Sequence, residues 1–127
     1  MRAFSLHPGS IVGTGLEKHV TTEELRAGGV IDENGNPVLD PSRNLKTVAQ
    51  GASTSVWCAV SPQLDGMGGV YCENTDIAPL ETAAPTANLK IGDPQRRLGV
   101  MPYAVDSELA ERLWSLSEQL IFGGQPS

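Results

Sequence analysis

Only two stretches of this 127-residue chain sustain a helical period, and each runs into a hard stop. Val48, Ala52, Val56 and Val60 recur every four residues, and Ser61-Pro62 ends the run because the residue before proline is driven out of the α region. Its ridge is made of small residues (Ala49, Gly51, Ala52, Ser53, Ser55, Ala59), which predicts a tightly packed helix that approaches a sheet closely. In the second helix Leu109, Leu113, Leu116 and Leu120 share a face widened by Ala110, Trp114 and Ile121. A cap at Asp106 or Ser107 opens it, Gly123-Gly124 closes it, and its apolar face needs a partner surface. Two short strands accompany these helices: Arg2 to His7, running into Pro8-Gly9, and Val70-Tyr71-Cys72. That is little from which to close a core, and a strand beginning at the initiator Met leads us to expect further structure on the amino-terminal side.

The whole chain carries 14 glycines and 9 prolines, which marks it as loop-rich. Gly9 to Gly15 reads as a glycine-rich loop. Thr21 and Glu24 have capping-box spacing and predict a helix of barely two turns stopped by Gly28-Gly29; Thr47 and Gln50 repeat the pattern. Val30 to Leu39 reads as a hairpin about a type I′ turn at Asn34-Gly35, kept to an edge by Pro37. Residues 74–102 hold no period and read as an exposed loop, with Ala83-Ala84-Pro85, Asp93-Pro94 and the cations Lys90, Arg96 and Arg97.

Composition and spacing exclude several chemistries. A net charge of −6 without a dense basic patch argues against nucleic acid. No stretch is long and apolar enough for a signal peptide or membrane span, so a cytoplasmic location is expected. Cys58 and Cys72 lack CxxC or histidine partners at metal spacing and read as buried free thiols; no metal site is expected. The glycine-rich loop lacks the spacing of a dinucleotide fingerprint, although Pro8 to Thr14 suits a turn where backbone approaches a ligand closely. His7 is placed for a structural hydrogen bond and His19 for solvent, and there is no G-x-S-x-G elbow. Four residues after Tyr71 and Tyr103 stand Thr75 and Ser107, so neither tyrosine has the lysine that would tune it as an acid in carbonyl reduction. Lys90, Arg96 and Arg97 read as a solvated face before a phosphate site.

Taken together, Phe4-Ser5-Leu6-His7-Pro8-Gly9-Ser10-Ile11-Val12-Gly13-Thr14 resembles the sixth strand and proline-glycine turn of the short-chain dehydrogenase/reductases, in particular their retinol-dehydrogenase-like branch. Gln50 to Trp57 with Ser61-Pro62 is similar to that family's late helix, Gly68 to Tyr71 to its last strand, and Pro102 to Leu116 to its carboxy-terminal helix. The resemblance implies an α/β fold, the C-terminal portion of a Rossmann-like doubly wound parallel sheet, incomplete in this chain. It divides the chain into a strand and Pro-Gly turn (1–14), a substrate-lid region (15–46), a helix and last strand (47–73), a loop (74–105) and a C-terminal helix (106–122). It implies NAD or NADP as cofactor, held in part by Pro8, Gly9, Ile11 and Thr14, with Leu16, His19 and Leu25 in the lid. Thr14 stands one residue later than the family's spacing, which departs from the pattern that gives the threonine its role. The family's cofactor loop, Asn-Ala-Gly segment and catalytic Ser with Tyr-x-x-x-Lys belong upstream of Met1, so no catalytic residue is assigned here, and weak or no cofactor binding is expected of the chain alone.

The reading that follows is the substrate-side part of an NAD(P)-dependent oxidoreductase acting on a small carbonyl or alcohol, inactive by itself and compatible with a homo-oligomer. The alternative is a small non-catalytic binding protein derived from that fold, using its lid-like region and carboxy-terminal helix.

Overall fold

The computed structural model describes residues 2–82 and 99–123. The elements run β1 (Ser5–His7), α1 (Thr22–Ala27), α2 (Val48–Val60), β2 (Tyr71–Glu73), β3 (Asp76–Ile77) and α3 (Ser107–Phe122). Three short 3₁₀ turns intervene, Pro41–Arg43, Pro62–Leu64 and Pro102–Val105, each with proline in its first turn where the missing N–H costs nothing. Among the described residues the sheet has order β1-β2-β3, so β1 is an edge. β1 and β2 are parallel, with Ser5 opposite Tyr71, Leu6 opposite Cys72 and His7 opposite Glu73. α2 lies between them in sequence and packs on both, which makes a β-α-β unit. The described chain is thus α/β, with a small mixed sheet.

Both capping boxes form. Thr21 accepts from the Glu24 N–H at 3.2 Å while the Glu24 carboxylate accepts from the Thr21 N–H at 2.8 Å. Thr47 and Gln50 repeat the exchange at 3.1 and 2.9 Å. α3 is capped by Asp106, which accepts from the Glu108 and Leu109 amides, and it ends at Gly123 in the left-handed region.

The face of α2 that carries Val48, Ala52, Val56 and Val60 does not pack. Val48, Val56 and Val60 are 65%, 60% and 72% exposed, and the helix buries Gly51 and Thr54 instead. A spacing of four overshoots one turn by about 40° each time, so the valines spiral away from any single face. Gly51 and Thr54, three apart, stay on the sheet side. At Gly51 the approach is closest: an added Cβ would collide with Ile11 Cδ1 and stand 3.1 Å from the Pro8 carbonyl oxygen. The small-residue ridge expected of α2 therefore meets the sheet side at Gly51 alone; Ala49, Ala52, Ser53, Ser55 and Ala59 are exposed, as is the valine face.

Two turns also differ from expectation. The Val30–Leu39 excursion has a single bridge, Ile31 with Pro37, and only Gly35 of its tip has positive φ, so the turn is not type I′. Asp32 organises it instead, accepting from the Asn34 and Asn36 amides at 2.9 and 2.7 Å and from Asn36 Nδ2 at 3.1 Å. The segment expected to be loop holds β3, antiparallel to β2, and a bridge between Leu80 and Val100. Its two-residue turn, Asn74-Thr75, has φ of 53° and 58°, the pair of positive values that a type I′ hairpin demands. Thr75 is β-branched and disfavoured there. It is held because its N–H donates to Thr54 Oγ1 at 3.3 Å, and Thr54 is fully buried. Lys90, Arg96, Arg97, Ala83-Ala84-Pro85 and Asp93-Pro94 lie outside the described residues.

Two substitutions test this packing. Thr54→Val keeps the volume but removes the acceptor of the Thr75 N–H, at a cost of about 1 kcal/mol. The melting temperature should fall by roughly 4 °C, with Thr54→Ser close to the parent; a Val variant as stable as the parent would contradict the contact. Gly51→Ala gains ~1 kcal/mol of helix propensity but meets a backbone oxygen that cannot give way, and overpacking costs ~1–3 kcal/mol. The melting transition should move down, whereas a rise would show the approach at Gly51 to be looser than described.

Candidate functional site

β1 ends in His7-Pro8-Gly9, and the chain leaves the sheet in a sharp turn. Gly9 adopts φ of 93°, and its N–H donates to His7 Nδ1 at 3.0 Å, so His7 serves the backbone of the turn. Ser10 is anchored twice: its N–H donates to the Asn44 carbonyl at 2.8 Å and its carbonyl accepts from the Lys46 N–H at 2.9 Å. Ser10 thereby forms a parallel bridge with Leu45, which is 2% exposed. Ile11 lies against Gly51 of α2. Pro8, Gly9 and Ile11 are thus brought together at the carboxyl end of β1, beside the carboxyl end of its parallel neighbour β2. In open α/β sheets that is the end at which ligands bind.

Thr14 stands apart from this group. It is exposed, and its hydroxyl donates weakly to the Ile11 carbonyl at 3.4 Å. Glu17 folds back on the same loop and accepts from the Gly13 N–H. Hydrogen bonds from its own backbone and from Gly13 hold its carboxyl below the usual carboxylate range. Of the expected lid residues, Leu16 is 88% exposed, His19 is exposed and Leu25 is half-buried in α1. Segment 15–46 is internally braced. Arg43 donates to the Gly28 and Gly29 carbonyls at 2.7 and 3.0 Å, tying the end of α1 to the 3₁₀ turn before Leu45.

Tyr71 is half-buried in β2 and Tyr103 exposed, and the sequence places no lysine four residues after either. Cys72 is fully buried, and burial pushes its thiol up to about 11, far from thiolate chemistry at neutral pH. Cys58 is free and half-buried, more open than a core thiol. No cluster of three or more His, Cys, Asp or Glu residues that could hold a metal occurs among the described residues, and no described helix is long and apolar enough to cross a membrane.

The sequence reading missed a group beside the turn. Glu73, last in β2 and opposite His7, is 6% exposed, and its Oε1 has no hydrogen-bond partner; Asn44 Oδ1 is likewise buried and unpartnered. Lys46 donates from Nζ to Asn74 Oδ1, on the residue that follows Glu73. Burial lowers its pKa while the charge of Glu73 works the other way. Lys46 and Asn74 stand 28 positions apart, and no local spacing signals that they meet.

No family profile and no solved structure matches the chain. Curated proteins do. The chain is 39% identical over 122 residues to a probable oxidoreductase of Streptomyces lividans, covering 96% of this chain and 37% of that protein. It is 32% identical over 123 residues to the short-chain dehydrogenase/reductase prx1 of Penicillium rubens, with 95% and 31% covered. Over 76 residues it is 36% identical to the WW domain-containing oxidoreductase of Homo sapiens, 60% of this chain and 14% of that one. The chain spans about a third of the length of the first two. By sequence it is a homologue of the short-chain dehydrogenase/reductases, related to them along nearly its whole length.

Proposed function

We propose that this chain forms the cofactor-side turn and the substrate lid of an NAD(P)-dependent short-chain oxidoreductase acting on a small carbonyl or alcohol, as its C-terminal part. The observation that carries the reading is the place of the Pro8–Ile11 turn: it leaves the carboxyl end of a parallel strand, opens directly into segment 15–46, and is pinned from behind by Gly51. The residues suit a flat cofactor ring, because proline and glycine bring backbone to the surface without a bulky side chain at Gly9. A bound nicotinamide dinucleotide supplies or accepts the hydride. The chain's own share is to bind and enclose. Pro8 and Gly9 present backbone, Ile11 locks the turn to α2, and the exposed Thr14 hydroxyl is available to a polar cofactor group. Leu16, His19 and Leu25 belong to the lid that excludes water from the reacting carbon. Proton delivery falls to a tyrosine and lysine of another segment of the same polypeptide, since Tyr71 and Tyr103 lack the lysine neighbour. We place the enzyme in the cytoplasm.

The 127-residue chain by itself should show no turnover of carbonyl substrates with NADH or NADPH above the uncatalysed rate, because it has neither a tuned acid nor the means to lower that acid's pKa. An enzyme-like rate from the purified chain would overturn this. In the longer polypeptide that carries it, Thr14→Ala should raise the KM for the nicotinamide cofactor roughly tenfold, the worth of one hydrogen bond of ~1.4 kcal/mol, with the melting temperature unchanged. An unaltered cofactor KM would remove Thr14 from the binding set.

A further inference from the structure

The sheet side of α2 is narrow. Of its residues only Gly51, Thr54, Trp57 and Cys58 are not exposed, a set spaced as one face of a helix. Contacts at both ends fix the direction of that helix. Gly51 abuts the Pro8 carbonyl and Thr54 accepts from the Thr75 N–H, so its first turns stand at the carboxyl ends of β1 and β2. Beyond its last turn, the Leu64 carbonyl accepts from Arg2 Nη1 at 2.8 Å and the Gly69 N–H donates to the Ala3 carbonyl at 2.9 Å. The chain has by then reached the amino end of β1, so α2 runs antiparallel to β1 and β2. Cys58 lies one turn past Thr54, about 6 Å further along the helix. Cys72 lies three residues before Thr75, back along β2 in the same direction. The contact of Thr54 with Thr75 thus sets Cys58 over Cys72, where α2 packs on β2.

Both thiols are free, and they differ in what can reach them. Cys72 is 0% exposed, while Cys58 is half-buried on a helix whose other side meets solvent. Burial first, and then the Cys58 thiol, push the Cys72 thiol up to about 11, which agrees with the placement of one over the other. A small oxidant meets Cys58 and is kept from Cys72.

We propose that Cys58 and Cys72 form a reversible redox site, which closes a disulfide between α2 and β2 when the chain meets hydrogen peroxide. Peroxide transfers one oxygen to the Cys58 sulfur, giving a sulfenic acid and releasing one water. The Cys72 sulfur then attacks the Cys58 sulfur; the S–S bond forms as the S–O bond breaks, and the departing hydroxide takes the Cys72 proton as a second water. Two thiols lose two electrons and two hydrogens, and peroxide takes both. A small thiol reductant reverses the step by exchange. The bond closes a 15-residue loop, Cys58 to Cys72 inclusive, and fastens to the sheet the helix that pins the Pro8–Ile11 turn at Gly51. This site goes beyond the function proposed above and does not depend on it.

The test is peroxide oxidation of the reduced, full 127-residue chain, read by intact mass and by peptide mapping without reductant. The oxidised chain should be lighter by two hydrogens, with the Cys58 and Cys72 peptides joined, and dithiothreitol should restore the starting mass. Closure should be roughly tenfold or more faster in the folded chain than in the chain unfolded in concentrated urea, because only the fold holds the thiols together. The melting temperature of the closed chain should rise by roughly 10 °C, as a loop of this length implies. Cys58→Ser should leave Cys72 untouched by peroxide, whereas Cys72→Ser should stop at added oxygen on Cys58. The mass, map and rate of the parent chain decide the matter even where a variant fails to fold. A folded parent chain that gains oxygen on Cys58 while Cys72 stays a thiol, that links only between chains, or that closes no faster than the unfolded chain overturns the site, as does a closed chain that melts lower.

Discussion

The approach of α2 to the turn after β1, at Gly51, is the contact from which the rest of the arrangement follows. No other residue allows a helix backbone so near to both Ile11 and the Pro8 carbonyl. With α2 seated there, Thr54 on the same face buries its hydroxyl against the Asn74-Thr75 turn and holds the β2–β3 hairpin in place. One helix face, two small or polar residues wide, thereby fixes both strand ends. A larger residue at 51 would push the turn away and the site with it.

Segment 15–46 is an excursion whose ends come together at the Ser10–Leu45 bridge. Between Ser10 and Leu45 the chain makes α1, the Asp32-centred turn and the Pro41–Arg43 turn, braced within itself by Arg43. Lengthening such an excursion costs little entropy, because loop closure grows only with the logarithm of length. That lets a segment of this kind vary in shape while the turn it departs from stays fixed. The described core is modest, with Leu45, Leu64 and Cys72 its most deeply buried apolar side chains. α3 keeps an apolar stripe at the surface, Leu113 at 66% and Leu120 at 78% exposed, and β1 has an open edge. These are the surfaces an α/β protein ordinarily covers with further strands and helices.

What the sequence disclosed was local. Capping boxes at Thr21 and Thr47, the stops at Ser61-Pro62 and Gly123, and the Pro-Gly turn each depend on residues within four positions, and each is present in the structure. What it concealed was non-local or an accident of period. The four-residue valine spacing looked like a face but spirals around α2. Asn34-Gly35 had the composition of a type I′ turn, yet Asp32 captured the amides first. Asn74-Thr75 took up that geometry unannounced, since threonine at positive φ is tolerated only because a buried hydroxyl from another element meets its N–H. The contact of Lys46 with Asn74 likewise requires the Ser10–Leu45 bridge and the parallel strand pair to exist first. The order of strand, turn, small-residue helix and strand, by contrast, was legible as a whole, and it led to the same family as the relatives do.

The central claim, that this chain is the turn-and-lid part of a larger dehydrogenase, is tested most directly by the intact mass of the natural polypeptide that contains it, isolated from cell extract. The relatives are matched over 31% to 37% of their length, so the account predicts a mass about 2.6 to 3.1 times 13.4 kDa. A polypeptide of 13.4 kDa alone would contradict it and leave a self-contained binding module as the description of this fold.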